Sequence, residues 1–228
     1  RPPRPRSHHR RRQHPARHQH SAPRHHAHHQ LLFLVAAPSE LLAPYGLVAD
    51  PAGPVAGVTG SKEEGWRSEN DLASWGGNAG QTLFRVLREL ADSMTANRAG
   101  GRVTVDWQIA ACGVVRQKGE YGALAARPGA FWSGVYFVDD GYNKSDDIAL
   151  GGEVELADPR GALPAMVAPQ LAFRIPGGGT AGQTETIRPS SGMIVLHPSW
   201  QPRGERRYNG EGQRITIEFD MVPSQPSA

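Results

Sequence analysis

From residue 101 onward the chain is written as short apolar, β-branched and aromatic segments cut apart by Gly, Pro, Asp and Asn. That texture admits few folds. "VTVDWQIAACGVV" (103–115), "FWSGVYFV" (131–138), "GEVEL" (152–156), "GMIVLHPSW" (192–200) and "RITIEFDM" (214–221) are the clearest strands. Ahead of them lies one helical pattern. From Asn78 as N-cap, "AGQTLFRVLRELADSMTA" puts Leu83, Leu87, Leu90 and Met94 at helical spacing and keeps Arg85, Arg88, Glu89 and Asp92 largely off that stripe. The helix should end between Asn97 and Gly100 and spend its apolar stripe on the core. No repeat at a fixed period is visible. One amphipathic helix followed by six to eight strands predicts a mainly β fold, a double-stranded β-helix (jelly roll, cupin-like), with the helix buttressing one sheet.

The rest of the chain sets limits on function. Residues 1–30 hold eight arginines, nine of the ten histidines and no acid, so the net charge of +3 conceals a net negative remainder. This low-complexity stretch has no large apolar residue to seed a core and reads as a disordered arm. It could serve nucleic acid or an anionic membrane surface, could scavenge metal, or could have no selected role, the reading preferred here. "LLFLVAA" (31–37) after a basic stretch is too short, and the basic stretch too long, for a secretory signal. Residues 31–60, rich in Pro, Gly and Ala, read as a lead-in or linker, residues 61–222 as the β-helix domain and 223–228 as a tail. No run of 18 apolar residues exists to span a membrane. The lone Cys112 excludes an internal disulfide framework and suits a reduced, cytoplasmic setting, with the thiol buried in its strand. "PGGGTAG" lacks the Gly-Lys-Ser/Thr of a phosphate loop, and no Gly-x-Ser-x-Gly elbow is present.

Several blocks together carry a more specific signal: "GWRSENDLASWGGNAGQTL" (65–83), "PGAFWSGVYFVDDG" (128–141), "GGEVELADPRG" (151–161), "HPSW" (197–200) and "RITIEFD" (214–220). Over about residues 64–220 the chain resembles a bacterial family of Fe(II)- and 2-oxoglutarate-dependent oxygenases. The resemblance implies a jelly-roll pocket in which Fe(II) and 2-oxoglutarate support hydroxylation of a C–H bond. The family places a His-x-His-Pro-Gly element at a strand entrance, where residues i and i+2 face the same way. Here those two histidine positions are Ala125 and Arg127, and the distal histidine position is Arg203. Asparagines typical of the preceding strand and turn correspond to Ala110, Val114, Arg116 and Gly122. Scaffold residues Pro128, Gly129, Trp132, Ser133, Gly134, Asp158, Pro159, Arg160, Pro198, Ser199 and Trp200 persist, as does Arg214, the counterpart of the arginine that holds the co-substrate carboxylate.

The losses therefore fall on the iron ligands. Alanine has no lone pair for a metal, and a guanidinium is always protonated and offers no acceptor. The expectation is a family protein with a lost or altered iron site: no metal and no cofactor as sequenced, Fe(II) and 2-oxoglutarate if the family activity survives. Residues expected around the pocket are Trp132, Ser133, Tyr136, His197 and Trp200. Two rivals remain open. One is an active oxygenase whose ligands come from elsewhere, including His197 and acidic residues such as Glu153, Glu155 and Asp158. The other is a metal-free module in which Arg127, Arg203 and Arg214 converge on a small-molecule anion, a dicarboxylate or phosphate. "DDGYNKSDD" (139–147) has oxygens for calcium but not the spacing of an EF-hand, and reads as a polar hairpin loop.

Overall fold

The computed structural model describes residues 34–36, 58–59, 65–159, 168, 170–174, 180–182 and 184–224. The arm of residues 1–30, Arg160 and most of the glycine-rich run after Pro176 lie outside the described residues. In chain order the elements are β1 (Leu34–Ala36), β2 (Val58–Thr59), β3 (Trp66–Arg67), α1 (Leu72–Trp75), α2 (Gly77–Met94), β4 (Trp107–Arg116), β5 (Gly122–Ala125), β6 (Trp132–Asp139), β7 (Val154–Leu156), β8 (Phe173–Arg174), β9 (Thr180–Ala181), β10 (Glu185–Ile187), β11 (Ile194–Pro198), β12 (Arg203–Glu205) and β13 (Arg214–Pro223). Seven strands form a large sheet in the order β1-β11-β6-β13-β4-β3-β2, four form a smaller sheet in the order β10-β7-β12-β5, and β8 pairs with β9. The paired strands of the large sheet run antiparallel. This is the expected double-stranded β-helix, with its helix laid along one face.

Period-two alternation sorts the side chains of the large sheet into two cores. On the outer face, Trp132 and Tyr136 of β6, Ile194 and Leu196 of β11, Ile217, Phe219 and Met221 of β13, and Trp107 and Ala111 of β4 pack against Leu83, Phe84, Leu87 and Ala91 of α2. On the inner face, Val135, Phe137 and Val195 meet Val154 and Leu156 of the small sheet. Leu83 and Leu87 are fully buried, and Leu90 and Met94 pack at the edge of the same cluster. The predicted stripe is thus the packing face of α2. Each such leucine contributes roughly 1.5–3 kcal/mol by leaving water.

Four expectations need correction. Asn78 is not the N-cap: α2 starts at Gly77, and its cap, Gly76, makes no side-chain hydrogen bond. The segment 31–60 is more than a lead-in, because β1 lies against β11 (Leu34↔Leu196, Ala36↔Ile194) and β2 against β3, so both extend the large sheet. "DDGYNKSDD" closes no hairpin: it links β6 of the large sheet to β7 of the small one. In it, Asp139 and Asp140 accept bonds from the Gly141 and Tyr142 amides, while Asn143 and Lys144 take positive φ to make the turn. Among the described residues ten strands follow α2 rather than six to eight, and the ones without a clear sequence signal, β5, β8, β9, β10 and β12, are each two to four residues long. Among the described residues no helix is long and apolar enough to cross a membrane.

Candidate functional site

The two sheets part at one end around a cavity of about 330 Å³, walled by residues of β3, β4, β5, β6, β12 and β13. Register explains who reaches it. On β13 the inner face carries Arg214, Thr216, Glu218 and Asp220, while Ile217, Phe219 and Met221 turn to the helix. Glu218 stands opposite Cys112 of β4, Asp220 opposite Ala110 and Ser133, and Arg214 opposite Arg116. In the small sheet Arg203 stands opposite Ala125. Arg127 follows β5 and is tied in by its amide, which donates to the Ser199 carbonyl at 2.8 Å. Ala125, Arg127 and Arg203 therefore line one cavity, as do Ala110, Cys112, Arg116, Gly122 and Ser133.

The cavity holds a network of ions, buried at its floor and partly exposed at its mouth. The Glu218 carboxylate receives Arg67 at 2.6 Å, Arg116 at 3.1 Å, Arg127 at 3.2 Å and Arg203 at 3.3 Å. Glu205, two residues along β12 from Arg203 and on the same face, takes Arg203 at 3.0 Å and Arg116 at 3.2 Å, with Arg214 at 3.9 Å. Burial alone would raise the Glu218 pKa, but the charges of Arg203, Arg116 and Arg67 outweigh it and hold the carboxyl well below its ordinary range. Cys112 behaves oppositely. Its sulfur accepts from Arg67 at 2.9 Å, yet burial dominates and pushes the thiol pKa up. Asp220 accepts from the Ser133 hydroxyl at 2.6 Å.

The expected pocket residues separate. Ser133 lines the cavity. Trp132 and Tyr136 do not: flanking Ser133 at odd spacing on β6, they face the helix, and the Trp132 indole donates to Thr95 Oγ1 at 3.0 Å. Trp200 stands 54% exposed in the turn after β11 and lines no part of the cavity. His197 points inward beside Ser133 but is fully buried and is not among the lining residues. Its Nδ1 lies 3.0 Å from the Pro198 carbonyl oxygen and its Nε2 has no hydrogen-bond partner. Burial first, and then the Arg203 charge, lower its pKa to about 3, so the imidazole is neutral. Arg214 also stays out of the cavity wall. Its guanidinium sits over the rings of Tyr208 (4.7 Å), Tyr142 (4.8 Å) and Phe137 (5.8 Å), and it donates to the Asp140 and Gly152 carbonyls. A methyl group on Gly152 would collide with that guanidinium, so glycine at φ +76° is what admits it.

The acidic residues offered as alternative ligands are engaged elsewhere. Glu155 pairs with Arg206 at 2.6 Å, Glu153 with Arg188 at 3.7 Å, and Asp158 accepts from the Gly182 amide at 3.1 Å. Among the described residues, no group of three or more His, Cys, Asp or Glu is arranged to hold a metal. Sequence reasoning missed Arg67, Glu205 and Glu218. The signal for Glu218 was present, since "RITIEFD" alternates charged and apolar residues and a strand buried on both faces cannot send the charged set to solvent. Arg67 carries no local mark.

Residues 112–220 match the family model described as "Putative 2OG-Fe(II) oxygenase". Among solved structures the chain is similar to a prolyl-4-hydroxylase from Pseudomonas putida, at 12% identity over 86% of this chain and 90% of that one, with a TM-score of 0.52. It is similar as well to HygX from Streptomyces hygroscopicus, solved with nickel and 2-oxoglutarate bound, at 13% identity over 85% of this chain and 84% of that one, with a TM-score of 0.53. A 2OG-Fe(II) oxygenase-family oxidoreductase from Burkholderia pseudomallei is similar at 13% identity and a TM-score of 0.41 over 63% of this chain, which spans 56% of that protein. No curated protein matches the chain. At these identities the structural likeness speaks for the fold.

Proposed function

We propose that this chain, whose residues 112–220 match the model of the 2OG-Fe(II) oxygenase family, belongs to that family, keeps its double-stranded β-helix with the iron site lost, and is no working oxygenase. One observation carries the reading: the three positions at which the family resemblance puts iron ligands converge on one cavity as a methyl group and two guanidiniums, Ala125, Arg127 and Arg203. This donor set does not fit Fe(II). A unit positive charge 4 Å from another costs about 4 kcal/mol at an effective dielectric of 20, and about twice that against a divalent ion. The carboxylates at hand to offset this, Glu205 and Glu218, already accept from guanidiniums. His197 is one buried imidazole, and a facial triad needs three ligands.

The test is turnover. Given Fe(II), 2-oxoglutarate and oxygen, the full chain should form succinate no faster than a protein-free control. The same chain carrying Ala125→His, Arg127→His and Arg203→His should gain a tight ferrous site that wild type lacks. Iron-dependent succinate formation by wild type would overturn the proposal.

A further inference from the structure

The ion network is unbalanced. Four guanidiniums line the cavity (Arg67, Arg116, Arg127, Arg203), and a fifth, Arg214, approaches Glu205 from behind. Three carboxylates answer them: Glu205, Glu218 and Asp220. One positive charge is left over among the lining groups, and Arg214 behind Glu205 adds a second, in a space that is only partly open to water. The buried members have little access to solvent counter-charge: the side chains of Arg116 and Arg203 are 4% and 7% exposed. Arg116, buried and lining the cavity, also has its Nε without a hydrogen-bond partner.

Two of the arginines stand at the mouth. The side chains of Arg67 and Arg127 are 33% and 42% exposed, and each meets Glu218 through one nitrogen. A guanidinium has five N–H donors in a planar fork. Among the described residues, Arg127 spends one of them on Glu218 and Arg67 spends two, on Glu218 and Cys112. The small residues Gly122, Ala123, Ala125 and Gly134 leave the rest of the wall open, and Asn70 and Ser133 add polar groups to it.

We propose that this cavity binds a small dianion through Arg67, Arg127 and Arg203, a molecule with a phosphate head or two carboxylates. The charge of the ligand cancels the excess, its oxygens take the free donors at the mouth, and about 330 Å³ admits a body of a few heavy atoms beyond the head. The site is separate from Arg214, whose guanidinium is enclosed by aromatic rings. The inference rests on the proposed loss of iron, because a metal ion would claim the same space and the same sign of charge.

Calorimetric titration of the full chain in the presence of a chelator tests it, with inorganic phosphate in one arm, succinate in a second and acetate in a third, at constant ionic strength. Saturable binding of phosphate or succinate, at least tenfold tighter than acetate, is expected, and the tighter arm identifies the head. Arg127→Gln and Arg67→Gln, both partly exposed and therefore compatible with folding, should each weaken it roughly tenfold or more. No saturable binding in either dianion arm would overturn the inference. So would binding that survives both substitutions, which would belong to the arginine-rich residues 1–30. Succinate formation from 2-oxoglutarate addresses the loss of iron and not this site. Absent turnover with absent dianion binding therefore sinks this inference alone, and turnover sinks the proposed function whatever the titration gives.

Discussion

His197 shows how much one buried side chain can impose on the solution behaviour of the protein. Its pKa lies near 3 in the folded chain and 6.5 when exposed, because burial and the Arg203 charge both oppose the imidazolium. Between those values the unfolded chain binds the extra proton, so the neutral histidine's contribution is present above pH 6.5 and is lost as pH falls toward 3. The slope from this one group is about 1.4 kcal/mol per pH unit at pH 5. Urea unfolding of His197→Gln from pH 7 to pH 4.5 should therefore show a shallower loss of stability than wild type, and parallel curves would count against the buried neutral assignment. The Glu218 carboxyl pKa is lowered as well, by the charges of Arg203, Arg116 and Arg67 and against burial, so its contribution stands above the ordinary carboxylate range and fades only at lower pH. At this scale the sequence was informative about identity and poor about partnership. It marked positions 125, 127 and 203, which do share a cavity. It could not tell that Arg67 and Glu218, 151 residues apart, touch at 2.6 Å, since no local pattern encodes such a pairing.

Among the elements, legibility followed length and alternation. Strands β4, β6, β11 and β13 announce themselves by β-branched and aromatic residues, and α2 by its leucine stripe. The short β5 (Gly-Ala-Leu-Ala) and β12 (Arg-Gly-Glu) have neither strand propensity nor alternation, and they exist because β12 is paired on both sides, by β7 and β5. Yet they carry Ala125 and Arg203, two of the three positions at which the resemblance puts iron ligands. Gly134 binds the central strands together. A Cβ there would lie 2.4 Å from Phe219 Cζ and 2.4 Å from the Val195 carbonyl oxygen, and the second of these cannot rotate away. Gly134→Ala should cost about 3 kcal/mol, read as a lowered urea midpoint with an unchanged m-value. A midpoint within error of wild type would mean that β6, β11 and β13 are less tightly apposed than described.

For the molecule as a whole, the boundary of the folded unit lies further toward the N-terminus than composition suggests. Proline, glycine and alanine make residues 31–60 look like a tether, yet two of its segments are edge strands of the large sheet. Without β1, strand β11 would present the unpaired backbone of Ile194–Pro198 to solvent, an open edge that invites association. A chain beginning at residue 61 should melt lower and self-associate more, by light scattering, than one beginning at residue 31. The latter should match the full chain, and equal behaviour of all three would remove β1 from the folded unit.

The sharing of Glu218 among four arginines also bears on the route by which such a site changes. On the proposed loss of iron, a lone Arg203→His change would strip a partner from Glu205 and Glu218 together, so a histidine would arrive in surroundings that do not suit it. If iron was lost as proposed, departure from it and return to it are different journeys, and the carboxylate acts as a ratchet: with the guanidiniums closed on it, retracing the first step is harder than taking it.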